Sequence, residues 1–144
     1  MDSKITIQDK ELIFREGDEA NRLYLLESGE VMCLKASKDR LIPIFVAGKG
    51  DIIGENAMVH GSVYGYTTIA THHTVLIPIE SANLKDVLEK GPVWLSELAS
   101  VMINRFQSTA NLIAENRVIH SSIVSEEQFP SALEVEFKKI IKDS

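Results

Sequence analysis

Positive charge, cysteine and long apolar runs are all scarce in this sequence. Its 15 Lys and Arg stand against 21 Asp and Glu, for a net charge of −6. An acidic balance of this size argues against a non-specific grip on nucleic acid or on an anionic membrane. The single cysteine, Cys33, lies in the apolar stretch VMCLK. No disulfide can form within the chain, and a buried reduced thiol is the expectation. No run approaches the roughly eighteen apolar residues of a membrane span, and MDSKITIQDKE has no signal-peptide pattern. A cytoplasmic protein that touches neither nucleic acid nor membrane is therefore expected. Walker loops, dinucleotide fingerprints and nucleophile elbows are also absent. Four His and one Cys show no metal-ligand spacing. The adjacent pair His72 and His73 would point to opposite faces of a strand. These absences predict a protein that is not an enzyme and that holds no metal or cofactor.

What is present suits one domain with an appendage: 144 residues, 44% hydrophobic and 25% charged. From Glu11 the chain reads as short strands and turns. ELIF, LYLLES, the run Val31 to Leu34, LIPIFVAG, TTIAT and TVLIPI alternate with the turns REGDEA, KASKDR and a glycine-rich loop. Pro43 suggests an edge or bulge within its strand. About seven strands at short spacing indicate an all-β barrel or jelly roll.

The loop from Val46 to Thr71, VAGKGDIIGENAMVHGSVYGYTTIAT, clusters glycine around one acid between two strand-like runs. Glycine allows positive φ and lets amide N–H groups approach an anion. A hairpin with a glycine-rich turn is the plainer reading of that stretch by itself. The pattern GDIIGENAM followed by TTIAT resembles the phosphate-binding cassette of the cyclic nucleotide-binding domain family. Phe14, Gly17 and Asp18, then Leu23 to Leu26 with Gly29 and Val31, match further motifs of that family in order. The resemblance implies a double-stranded β-helix, jelly-roll-like, with the chain mainly β and its C-terminal part α. It implies that Gly54, Glu55, Asn56, Ala57, Gly65, Tyr66 and Thr67 surround the ligand. Glu55 would hold a ribose hydroxyl or cap local backbone N–H groups. Tyr64 and Tyr66 would close over a base or fill the pocket themselves.

One departure governs the functional expectation. Gly65 falls where the family places an arginine against the cyclic phosphate, and no Lys or Arg lies between Gly50 and Leu84. His60, His72 and His73 are the candidate cations there, mostly neutral at pH 7; Arg22 and Arg105 are possible rescuers from elsewhere. Losing one charge-assisted pair costs roughly 1.5–3 kcal/mol, at least tenfold in affinity.

At Ser81 the period changes. SANLKDVLEKGP has Ser81 as an N-cap, an apolar face of Leu84, Val87 and Leu88, and a Gly91–Pro92 stop. A long helix follows. Leu95, Leu98, Met102, Arg105, Thr109, Leu112, Asn116, Ile119 and Ile123 step by threes and fours as a heptad seam. About 30 helical residues reach roughly 45 Å, farther than a small barrel is wide. Part of the seam then needs another partner, and a parallel homodimer with Asn116 fixing register is the simplest. The resemblance implies dimerisation through this helix too, with Thr109 near the position that reaches a ligand's base; its alternative role is a polar spacer. Ser131 to Glu134, SALE, matches a capping box for a short amphipathic helix with Leu133, Phe137, Ile140 and Ile141. The expected organisation is a barrel over residues 1–90, a dimerisation helix over 91–123 and a tail over 124–144. Too few residues follow Ser125 for a winged helix, so no DNA-binding domain is expected.

The expected function is a non-catalytic regulatory module, a degenerate homodimer acting on a protein partner, with weak or absent cAMP or cGMP binding. The alternatives are a true cAMP or cGMP receptor using backbone amides and Glu55, or a sensor of another ligand such as cyclic di-GMP.

Overall fold

The computed structural model describes residues 3–59, 61–117 and 119–143; His60 lies outside them. Strands β1 (Ile5–Ile7), β8 (Thr74–Glu80), β3 (Arg22–Ser28) and β6 (Ile52–Ile53) form one antiparallel sheet in that order. Strands β2 (Leu12–Phe14), β7 (Thr67–Ala70), β4 (Glu30–Ser37) and β5 (Arg40–Gly48) form the second. The two sheets make the jelly-roll-like barrel, and helices follow at the C-terminal end. β1 was not foreseen, because three residues bounded by polar ones carry too little pattern. Pro43 sits on β5, at the edge of its sheet, beside a register shift between Cys33 and Leu34. A residue without an N–H is tolerated there because no further strand needs that donor.

Strand β4 shows how the barrel is packed. Val31 and Cys33 join the interior cluster with Leu23, Leu26, Ile53, Tyr66 and Leu76. The alternate residues Met32 and Leu34 enter a second cluster on the outer face, with Leu41 and Ile69. A strand buried on both faces is apolar at consecutive positions. Cys33 is fully buried and free, and burial pushes its thiol far above the ordinary range.

The outer cluster is covered by α3 (Ser131–Asp143) and the segment before it. Val124, Phe129 and Phe137 are each at most 2% exposed, worth about 1.5–3 kcal/mol apiece in apolar burial. The amphipathic tail helix therefore docks on its own barrel. Its predicted capping box does not form. Glu134 instead accepts hydrogen bonds from Arg40 Nε (2.9 Å), Arg40 Nη2 (3.2 Å) and the Leu41 backbone N–H (3.0 Å) on the β4–β5 hairpin. A buried carboxylate gains more from a guanidinium fork than from its own helix end.

Helix α1 (Ser81–Lys90) ends at Gly91, and α2 (Val93–Asn116) starts beyond Pro92, so the chain bends at the expected Gly-Pro pair. The Ser81 hydroxyl does not cap α1; it donates to the Ala57 carbonyl at 2.7 Å. Val87 is 62% exposed, so only Leu84 and Leu88 of its apolar face pack. Helix α2 stops short of residue 123. Arg117 adopts φ 52°, a left-handed end at some cost for a side-chain-bearing residue. Ile119 and Ile123 leave the predicted seam and pack on the outer cluster. The 24 residues of α2 span about 36 Å. No described helix is long and apolar enough to cross a membrane.

Candidate functional site

The glycine-rich stretch lies at the mouth of the barrel, under α2. After β6 the backbone turns through Gly54 at φ 80° into a 3-10 turn, Glu55–Met58. Glycine is needed at that turn: a Cβ on Gly54 would meet the Arg22 carbonyl oxygen at 2.9 Å and the Tyr64 ring at 3.1 Å. The turn then uses its own polar groups. Ala57 N–H donates to the Gly54 carbonyl at 3.0 Å, so the Ala57 amide expected to face an anion is already bonded. Asn56 accepts the Gly65 N–H through Oδ1 at 3.0 Å. Its amide side chain thus ties the 3-10 turn to the slot where an arginine was expected.

Tyr66 is fully buried in the mouth. Its hydroxyl accepts from the Gly54 N–H (2.9 Å) and donates to Glu55 Oε2 (2.7 Å). Burial raises the Glu55 carboxyl above its ordinary range, with the Tyr66 hydrogen bond pulling the other way. Burial likewise raises the Tyr66 phenol. The second Glu55 oxygen is buried with no hydrogen-bond partner. Glu55 is therefore a structural anchor for Tyr66, with one acceptor to spare.

The Tyr66 ring fills space. It meets Phe106 of α2 at 5.8 Å and Phe45 of β5 at 6.5 Å between centroids, both edge-on, and Phe45 meets Phe106 at 5.9 Å. Three aromatic rings thus occupy the volume between the glycine-rich turn, β5 and α2. Tyr64 packs beneath, stacked on Phe14 at 3.9 Å, and its hydroxyl donates to the Arg22 carbonyl at 2.6 Å. Both tyrosines of the loop fill the fold. Phe45 and Phe106 were not foreseen, because neither lies near the loop in sequence.

The Gly65 slot is crowded by other residues. Its carbonyl accepts from Lys35 Nζ (3.0 Å) and from Gln107 Nε2 of α2 (3.4 Å). A Cβ on Gly65 would collide with the Gln107 side-chain oxygen. Lys35, on the interior register of β4, is the cation that the sequence reading missed. It is largely buried and neutralised by Glu16 at 2.7 Å, while Glu16 also accepts the Ala36 N–H at 3.1 Å. Neither proposed rescuer reaches the slot. Arg22 pairs with Glu80 at 2.8 Å, and Arg105 is exposed on α2. Thr67 accepts the Glu16 N–H at 3.0 Å. Thr109 is exposed and its hydroxyl bonds the Arg105 carbonyl at 3.1 Å, so it does not join the interior site. His72 and His73 lie exposed at the β7–β8 turn, where His72 stands 3.6 Å from Glu30.

The outward side of α2 is the second feature. Trp94 is 61% exposed, Leu98 48%, Val101 46%, Met102 61% and Leu112 63%. With Arg105, Thr109 and Asn116 they form one stripe, while Ile103, Ala110 and Ala114 face the barrel. Leu95, placed in the predicted seam, is half-buried and leaves that stripe; Trp94 and Val101 take its place. Among the described residues no group of three His, Cys, Asp or Glu could hold a metal ion.

The family model for the cyclic nucleotide-binding domain matches residues 4–90. Among solved structures, the EAL enzyme Bd1971 in its cGMP-bound form is similar at 22% identity and a TM-score of 0.68, covering 73% of this chain. The catabolite activator protein of Thermus thermophilus is 20% identical with a TM-score of 0.63, covering 77% of this chain and 52% of its own. TTHB099, a transcriptional regulator of the CRP family from the same species, is 35% identical over 54% of this chain and 40% of its own, at a TM-score of 0.51. The chain spans only 28% of the length of the Bd1971 enzyme. A search of curated proteins found no match.

Proposed function

We propose that this chain, which belongs to the cyclic nucleotide-binding domain family, is a non-catalytic regulatory module with a self-filled ligand mouth, acting as a homodimer through α2. The observation that carries the reading is the mouth itself. Tyr66, Phe45 and Phe106 occupy it, and the Gly65 slot is bonded by Asn56, Lys35 and Gln107. A cyclic nucleotide entering there has to displace packed rings and brings one negative charge to a place whose nearest cation is already paired. Burying an anion without a counter-charge is expensive. Weak or absent cAMP and cGMP binding follows.

Output then rests on protein contacts. The stripe from Trp94 to Asn116 is apolar from Trp94 to Met102 and again at Leu112, with Arg105, Thr109 and Asn116 as its polar members, a mix that a two-fold helix pairing tolerates. In this organisation the barrel of residues 1–90 carries α2 as its dimerisation element within 91–123, and the tail over 124–144 braces the barrel. The test is sedimentation of the purified chain beside its Leu112→Asp variant. A concentration-dependent dimer that Leu112→Asp turns into a folded monomer supports the reading. A monomeric parent at high micromolar concentration contradicts it.

A second reading has one observation in its favour. The free buried oxygen of Glu55 is an acceptor suited to a sugar hydroxyl, whether of a cyclic mononucleotide or of a cyclic dinucleotide such as cyclic di-GMP. Bd1971 has been solved with cGMP bound, and with cAMP and cyclic di-GMP bound. Under this reading Glu55→Ala abolishes ligand response while leaving dimerisation intact.

A further inference from the structure

A cleft of about 510 Å³ opens outside the barrel, between the β4–β5 hairpin, the loop after β2 and the last turns of α3. Its volume lies within the range of small-ligand sites. Leu41 and Ile141 give it an apolar floor, and Arg15, Lys38, Arg40 and Lys138 surround that floor. Four cations converge here on a chain whose net charge is −6. The two acids of the lining, Glu16 and Asp39, pair with cations outside it, while Glu134 and Asp18 pair with three of the four. Glu16 is engaged by Lys35 at 2.7 Å. Asp39, 87% exposed at its side chain, lies 3.8 Å from Arg117.

The cations also differ in what holds them. Arg40 is paired to Glu134; Lys138 stands 3.6 Å from the same carboxylate and donates to the Asp39 carbonyl; Arg15 stands 3.5 Å from Asp18 and donates through Nη1 to the Ile141 carbonyl at 3.1 Å. These bonds fix the cleft's walls. Lys38 has no ion-pair partner among the described residues, and it stands at the hairpin tip with φ 56°. Glycine or asparagine would hold that turn with less strain. A strained position thus presents an uncommitted ammonium at the rim of a cationic, apolar-floored cleft.

We propose that this cleft binds a small anion, a phosphate monoester or carboxylate with a compact apolar body. Guanidinium and ammonium groups would take its oxygens, and Leu41 and Ile141 its apolar part. The occupant would bridge the hairpin to α3. The proposal is independent of what the barrel mouth binds.

Phenyl phosphate is the probe, with inorganic phosphate and phenol as controls. In an NMR titration of the full chain, phenyl phosphate should cause saturable shifts around Arg15, Lys38 to Leu41, Lys138 and Ile141. It should bind more tightly than either control. Lys38→Gly removes the free cation while relaxing the turn, so folding is not put at risk. It should weaken phenyl phosphate about tenfold, as should Lys138→Gln. Shifts spread over all surface cations, equal affinity for inorganic phosphate, or affinity unchanged in both variants would overturn the proposal.

Discussion

Replacing Phe106 with alanine removes the ring that joins α2 to the barrel mouth. Its centroid lies 5.8 Å from that of Tyr66 and 5.9 Å from that of Phe45, edge-on to both. A fully buried Phe→Ala change costs about 3–5 kcal/mol. Phe106 is only half-buried, so roughly 2–3 kcal/mol is expected, including its two aromatic contacts. For a chain of this size that lowers Tm by roughly 5–10 °C. The removed ring also leaves an apolar space beside Tyr66, which a ring-sized apolar molecule can re-enter. Benzene at ten times its dissociation constant should add back about 1.4 kcal/mol in the variant and nothing in the parent. The assay is thermal unfolding of both proteins with and without benzene. A Phe106→Ala protein as stable as the parent, or a parent that benzene stabilises equally, would refute the packed mouth.

Other consequences are as direct. Burial raises the Glu55 carboxyl in the folded state, so its contribution to stability is greatest below the unfolded pKa and declines as pH rises toward the folded one. Glu55→Gln keeps an acceptor for Tyr66 and should therefore be more stable than the parent at pH 7, with the advantage gone in acid; equal pH profiles in urea unfolding would count against it. Glu134 behaves oppositely: burial pushes its carboxyl up, but the bonds from Arg40 and the Leu41 N–H outweigh it and the net shift is downward. Its stabilisation is complete above the unfolded pKa and is lost as pH falls through the folded one, so amides of α3 should lose hydrogen-exchange protection in acid before those of β3 and β8. Glu134→Ala strands the Leu41 N–H and Arg40 and should cost about 3 kcal/mol, read as a fall in urea midpoint. Gly65→Arg displaces Gln107 from the Gly65 carbonyl yet should give little cyclic nucleotide affinity by itself, and clearly more when joined to Phe106→Ala; calorimetry of both variants decides it.

The barrel was legible because short strand-like apolar runs alternate with turn residues at regular spacing, and because Gly54 and Glu55 sit in a local motif. The outward face of α2 was legible in its middle: Leu98, Met102, Arg105, Thr109, Leu112 and Asn116 are all exposed on it. Its ends were not. Whether Leu95 or Trp94 faces out depends on how α2 seats on the barrel, and Ile119 is lost to the seam because the helix ends at Arg117. Long-range partners were least legible. Lys35, Phe45, Phe106 and Gln107 reach the mouth from β4, β5 and α2, and no local spacing announces that convergence. Glu134 shows the same limit: SALE is a valid local cap signal, overridden by a guanidinium brought from the hairpin.

The most direct test of the closed mouth is a calorimetric titration of the nucleotide-free parent protein with cAMP and cGMP up to millimolar ligand. No saturable binding is expected, because the Tyr66, Phe45 and Phe106 rings hold the space and Lys35 is paired to Glu16. Saturable micromolar binding of either nucleotide, lost in Glu55→Ala, would contradict it and make the protein a working receptor.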